Sequence, residues 1–225
     1  MKQGYELIDV CHTVWDGMVT YKGLPAPVIT DHLSREDSKN YYEAGTEFQI
    51  GKIEMVANTG TYLDSPFHRY ADGIDLAGLD LYSLANLAGI VIRKVGADAR
   101  AISAAAIGEL DLRGKAVLFH TDWDKHWRTE AYSDGTHPFL TAEAAEHLAR
   151  SGAALVGIDS YNIDDTSGGN RPAHSILLRQ GIPIVEHLCC LGDLPDQDFK
   201  FFAVPVKVKG MGTFPVRAFG IVSPR

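Results

Sequence analysis

Apolar positions along this chain fall in short runs separated by stretches rich in Gly and Pro, and two periods are mixed among them. Residues 5–10 predict a first strand. Between Thr46 and Ala57 the apolar positions alternate: Phe48 and Ile50 share one parity, Ile53, Met55 and Ala57 the other, with a bulge predicted at Gly51-Lys52. Gly89–Val95, Val117–His120, Ala154–Ile158 and Ile182–Leu188 are near-continuous apolar runs of strand length, as expected for strands covered on both faces. Phe199–Val208 and Val216–Val222 predict two last strands, the former with Lys200 to Lys209 on its wet face. Helical spacing appears in Ala144, Ala145, Leu148 and Ala149, with Thr141 as N-cap, Glu143 in the first turn and Gly152 as the stop. A second helix is predicted over residues 172–180, ending at Gly181, and a short one from Ser103 to Leu110. Residues 22–45 are polar and turn-rich, and read either as a lid or partner-contact segment or as a surface loop. Helix and strand alternate in the middle and both ends are strand-rich. The prediction is an α/β fold with a mixed, partly closed β-sheet, in one domain over residues 1–225.

Composition narrows the partners. The 225 residues carry a net charge of -8, which argues against a nucleic-acid partner. No apolar run approaches the ~20 residues of a membrane helix, and the first residues lack the apolar core of a signal peptide. Cys11, Cys189 and Cys190 are an odd set with two adjacent members, the usage of a reducing compartment. The expectation is a cytoplasmic protein acting on a small molecule, with no nucleic acid and no membrane.

Candidate chemistry concentrates in the run Asn58-Thr59-Gly60-Thr61-Tyr62-Leu63-Asp64-Ser65-Pro66-Phe67-His68. Pro66 excludes an ordinary central strand, but an extended segment would point Asn58, Tyr62, Asp64 and His68 the same way. Taken singly, Asn58 and Asp64 read as turn residues and His68 as a surface histidine. Trp15, Tyr21 and Trp123 sit in turn-like segments and are expected to line a pocket for a flat or aromatic substrate, whereas Trp127 reads as a loop anchor. His120, His126 and His137 lie near Asp122 and Asp124 without a recognised ligand spacing, and read as a polar loop.

The run resembles the signature of the cyclase family, whose bacterial kynurenine formamidases carry His-x-Gly-Thr-His-x-Asp-x-Pro-x-His. Gly60, Thr61, Asp64, Pro66 and His68 match it; Asn58 and Tyr62 stand where the family has its first two histidines. Asp9-Val10-Cys11-His12 with Gly17-Met18, then Leu155 to Asp159, Pro172-Ala173-His174, Ile184-Val185-Glu186, Pro205-Val206 and Pro215 to Ala218 follow the family in order. The resemblance implies a compact fold with a swivelling β/β/α-type core and a hydrolase of amide, formamide, lactam or lactone bonds. It also implies a homodimer or higher homo-oligomer, with residues 22–45 as a candidate contact. Carried over residue by residue, it makes Asp64, His174 and Glu186 metal ligands and His68 the general acid/base. Glu186 sits on a strand that reads as buried, so it must be ligating, neutral or paired, Arg217 being a candidate partner. His174 reads equally as a core histidine.

The two departures change the metal expectation. An amide oxygen is a poor zinc ligand, and a phenol ligates only after losing a proton of pKa ~10. One divalent ion, Mn, Mg or Zn, is therefore expected and a two-zinc site is not. Tyr62 is a candidate donor to a developing oxyanion. Two other functions remain open: a degenerate relative that binds a small molecule without catalysis, and a lyase or dehydratase using the same residues.

Overall fold

The computed structural model describes residues 4–96 and 100–223. Thirteen strands form: Glu6–Asp9 (β1), Val28–Leu33 (β2), Ile50–Glu54 (β3), Tyr62–Asp64 (β4), Leu87–Arg93 (β5), Ala101–Ile102 (β6), Lys115–His120 (β7), Phe139–Leu140 (β8), Leu155–Ile158 (β9), Ile184–Glu186 (β10), Phe199–Phe202 (β11), Thr213–Pro215 (β12) and Phe219–Val222 (β13). The α-helices are Arg35–Ser38 (α1), Ala142–Arg150 (α2) and Pro172–Arg179 (α3). Nine strands make one mixed sheet in the order β1-β13-β11-β5-β7-β9-β10-β4-β12. β5, β7, β9 and β10 are mutually parallel, and antiparallel strands extend the sheet on both sides.

The apolar runs supply both faces of this sheet. Ile90, Ile92, Val117, Phe119, Val156, Ile158 and Ile184 pack with Ala144, Leu148, Leu177 and Leu178 of α2 and α3. The alternate residues Val91, Ala116, Leu118, Leu155 and Val185 form a second core with Leu63 and Phe201. Leu63 on β4 and Phe201 on β11 are separated by four strands, yet share one cluster. The sheet must therefore curl around its own side chains, in keeping with the expected partial closure.

α2 begins as predicted: the Thr141 hydroxyl accepts the Ala144 N–H at 3.2 Å. α3 starts on Pro172, where the missing N–H costs nothing. Several expectations need correction. Residues 22–45 are not one loop, because Val28–Leu33 forms β2 and pairs with β3 in a separate two-stranded ribbon. β3 is exposed along its whole length, so its alternation marks no buried face. The helix expected from Ser103 shrinks to a 3-10 turn at Ala104–Ala106. β11 ends at Phe202, and Val204 and Val206 are exposed. Among the described residues no helix is long and apolar enough to cross a membrane.

Candidate active site

The Asn58–His68 run is not extended throughout. Gly60 takes φ +66° and turns the chain before β4. Only Tyr62–Asp64 is strand, and Pro66–His68 closes into a 3-10 turn. β4 lies between β10 and β12, and register places the chemistry: Tyr62 faces Glu186 across one ladder, and Asp64 faces Thr213 across the other. Leu63 points to the opposite side, into the core. Gly212 keeps the loop before β12 against the 3-10 turn, since a Cβ there would sit 2.3 Å from the His68 backbone nitrogen.

His174, on the first turn of α3, completes the arrangement. Its Nε2 lies 3.6 Å from Asp64 Oδ2 and 3.7 Å from Glu186 Oε1. Its Nδ1 lies 2.7 Å from Asp164 Oδ2. Asp164 also accepts the Ala173 and His174 backbone N–H groups at 2.7 and 3.0 Å, so one carboxylate caps α3 and orients the imidazole. Glu186 accepts the Ile163 N–H at 2.6 Å and the Tyr62 hydroxyl at 2.7 Å. Arg217 pairs with Asp9 instead, which removes it as a partner for Glu186.

Two observations test these residues against a divalent cation. Asp64 Oδ2 is buried and, among the described residues, has no hydrogen-bond partner. Asp64, Asp164 and Glu186 are all buried around a single imidazole, a surplus of negative charge that burial makes costly. Burial opposes a charge on His174, but Glu186, Asp164 and Asp64 together raise its pKa to about 10; burial pushes Glu186 upward in turn. A cation beside Asp64 and His174 would answer both, and the residues fit such a group. Ligand atoms of Asp64, His68 and His174 also lie within 4.8 Å of one another. Glu186 is not in that mutually close group: it approaches His174 Nε2 at 3.7 Å, and its two oxygens already take the Ile163 N–H and the Tyr62 hydroxyl.

Thr213 ties His68 to Asp64. Its hydroxyl hydrogen-bonds Asp64 Oδ1 and lies 2.8 Å from His68 Nδ1. With the threonine proton on Asp64, His68 must donate from Nδ1, which leaves its Nε2 lone pair free. Neither Thr213 nor Asp164 stands out in the sequence.

Tyr62 departs from expectation. Burial and the neighbouring Glu186 raise its pKa well above the ordinary phenol value. Its one proton goes to Glu186, and its oxygen faces His187 Nε2 at 3.3 Å, whose Nδ1 meets the Tyr132 hydroxyl at 2.7 Å. It therefore has no proton free for an oxyanion. Asn58 lines the cavity and makes no side-chain hydrogen bond among the described residues, so its amide is the available donor.

A cavity of about 330 Å³ opens over these groups and includes Tyr21, whose hydroxyl takes the Asn162 amide at 2.6 Å. Trp15 and Trp123 do not line it. Trp15 lies under the Arg128 guanidinium beside a different cavity, and Trp123 donates to the Tyr132 carbonyl at 3.1 Å. Trp127 stacks on His12 at 3.9 Å, the expected anchor. His120, His126 and His137 have separate partners: Arg93, the Trp123 ring and the Asp164 carbonyl.

Fold and site together define a small α/β protein with a buried carboxylate–histidine centre suited to a metal ion. The family model described as "Putative cyclase" matches residues 8–165. The kynurenine formamidase of Bacillus cytotoxicus is 31% identical over 217 residues, covering 95% of this chain and 96% of that relative. A solved structure described as a "Potential Metal-Dependent Hydrolase With Cyclase Activity" superposes with a TM-score of 0.78 at 25% identity, over 98% of this chain and 99% of that one. An isatin hydrolase bound to the product analogue thioisatinate shares the fold, with a TM-score of 0.80 at 23% identity over 98% and 94% of the two chains. The chain belongs to the cyclase family.

Proposed function

We propose that this protein is a metal-dependent hydrolase that cleaves an amide, formamide, lactam or lactone bond of a small molecule. The observation that carries this reading is the approach of Asp64 Oδ2 and Glu186 Oε1 to 3.6 and 3.7 Å from His174 Nε2 beside the cavity, with the Asp64 oxygen otherwise unpartnered among the described residues. The relatives named as a formamidase and a metal-dependent hydrolase agree with it. Asp64, His174 and Glu186 would hold one divalent ion, Mn, Mg or Zn. When bound, such an ion polarises a carbonyl and lowers the pKa of water. His68, with its free Nε2, takes the proton from the attacking oxygen and returns it to the leaving nitrogen or oxygen. Thr213 fixes the ring for that transfer, Asn58 offers its amide to the carbonyl oxygen, and Tyr21 forms part of the wall.

Elemental analysis of untagged protein, run beside a metal-supplemented screen of formyl-kynurenine, lactams, lactones and cyclic imides, tests this. A full equivalent of metal with chelator-sensitive turnover is expected. Metal well below that level, with activity indifferent to chelators, would overturn it.

The same reading includes a homodimer or higher homo-oligomer. Ile29 and Ile53 are cross-strand partners on the β2–β3 ribbon, and both are left in water by the single chain. A monomer by light scattering at micromolar concentration would remove that part. A reducing, cytoplasmic setting accounts for the free thiols of Cys11, Cys189 and Cys190.

A further inference from the structure

Three side chains outside the proposed ligand set run in one line to Glu186. Tyr132 stands in the 3-10 turn Glu130–Ser133, His187 just past the end of β10, and Tyr62 on β4. The Tyr132 hydroxyl lies 2.7 Å from His187 Nδ1, and His187 Nε2 lies 3.3 Å from the Tyr62 hydroxyl. That hydroxyl donates to Glu186 Oε2 at 2.7 Å. All four residues are buried. His187 is also held at φ +54°, in the left-handed region that a non-glycine residue adopts at a cost, and its carbonyl accepts the Thr61 hydroxyl. A buried imidazole kept on a strained backbone needs a reason, and no ligand role accounts for it.

The carboxylate at one end fixes the direction of every bond. Glu186 as a carboxylate can only accept, so the single Tyr62 proton points to it. The Tyr62 oxygen then takes a donor, which puts a proton on His187 Nε2. A buried imidazole whose ring nitrogens meet only two phenols stays neutral, so Nδ1 keeps a lone pair and accepts from Tyr132. No hydroxyl in the line can turn without leaving a buried group unpaired. Glu186 Oε1, by contrast, takes the Ile163 N–H at 2.6 Å and approaches His174 Nε2 at 3.7 Å. The Asn162 amide is 3.5 Å from Oε2 and is committed to Tyr21 at 2.6 Å. Oε2 is thus the oxygen bound by Tyr62, and Oε1 the one that nears the imidazole.

We infer that Tyr62 is a positioning residue for the ion centre: ordered by His187 and Tyr132, it withholds Glu186 Oε2 from a divalent cation, so that Glu186 offers Oε1 alone. The inference rests on the hydrolase reading. A hydrolytic metal needs positions left over for water and substrate, and a carboxylate closing on the ion with both oxygens would fill one of them. The alternative is that the three side chains only satisfy one another in the interior, with no bearing on the ion.

Nitrogen-15 NMR and calorimetric titration with Mn²⁺ separate the two, using the metal-free parent, Tyr62→Phe and Tyr132→Phe. Long-range proton–nitrogen spectra of the parent should show His187 neutral with its proton on Nε2. A proton on Nδ1 in place of Nε2 overturns the inference, because Tyr62 could then point away from Glu186. Tyr62→Phe frees Oε2 and leaves His187 Nε2 without an acceptor, but that orphan is present with and without the ion. The variant should therefore lose stability while its Mn²⁺ affinity rises about tenfold, the scale of one hydrogen bond to a charged group. Tyr132→Phe leaves the Tyr62–Glu186 bond in place and should gain less. Unchanged or weaker affinity in Tyr62→Phe, or an equal gain in Tyr132→Phe, overturns the inference, since general loosening lowers affinity or acts from either tyrosine alike. Should Tyr62→Phe fail to fold, the proton on His187 still decides. A parent that binds no Mn²⁺ would sink the hydrolase reading. A parent that binds it, with Tyr62→Phe binding no tighter, would sink this inference alone.

Discussion

Removing the Asp164 carboxylate should loosen α3 and the cation centre in one stroke. Three buried donors converge on it: the N–H groups of Ala173 and His174 and the Nδ1 of His174. Loss of a helix cap typically costs about 1 kcal/mol. A buried ring donor left without an acceptor costs about 1–3 kcal/mol. Asp164→Ala should therefore destabilise the fold by about 3 kcal/mol, part of which is offset by relief of repulsion from Glu186 and Asp64. At this chain length that corresponds to a melting temperature lower by roughly 6–12 °C. Outer partners of a metal-binding imidazole are worth about 10–100-fold in metal affinity. Asp164→Asn can turn its oxygen toward His174 and oppose only the Ala173 N–H, so it should fall near tenfold, with alanine beyond it. Thermal denaturation of the metal-free protein and calorimetric titration with Mn²⁺ measure the two effects separately. If Asp164→Asn bound Mn²⁺ as tightly as the parent, or Asp164→Ala melted at the parent temperature, the coupling of cap and centre would be refuted.

His68→Ala should retain its metal and lose about 10²–10⁴-fold in kcat, the usual worth of a general acid/base; unchanged turnover in a metal-replete sample would take His68 out of the mechanism. Asn58→His with Tyr62→His restores the two imidazoles of the family signature beside Asp64, and elemental analysis should then show a second metal equivalent, where a constant single equivalent would refute that account of the missing site. Burial pushes the Asp159 carboxyl up to about 7, against the pull of its bonds from Thr121 and Asp122. Because its folded pKa lies above the ordinary 3.8, its stabilising contribution is complete below that value and is lost as pH rises through about 7. Urea unfolding of Asp159→Asn should thus decline less between those pH values than the parent does, and parallel profiles would contradict it.

Much of the fold was legible because burial on both faces leaves a plain mark. Val117–His120 and Ala154–Ile158 read as strands without ambiguity and lie at the centre of the sheet. The site was legible where local geometry sufficed: Tyr62 and Asp64 share parity on a real strand, and Glu186 interrupts an apolar one. Parity could not carry as far as His68, because the chain turns at Pro66. Thr213 was invisible because its role exists only through a ladder to Asp64, 149 residues away, and a threonine on a strand is otherwise unremarked. Asp164 was hidden likewise, as an acid in a polar loop that meets its partners only when α3 docks. Trp15 and Trp123 misled because a turn-like context says that an aromatic is outside the core strands, not which cavity it faces.

β4 is only three residues long, and its two sides have separate duties. Leu63 secures the strand to the interior, while Tyr62 lines the cavity and Asp64 lies buried beside His174. A sequence drifting over generations can therefore exchange what stands at 62 without disturbing what stands at 63. Two ligand positions that differ from the family signature are then no sign of decay: the same scaffold can gain or shed an ion, and with it a chemistry, one side chain at a time.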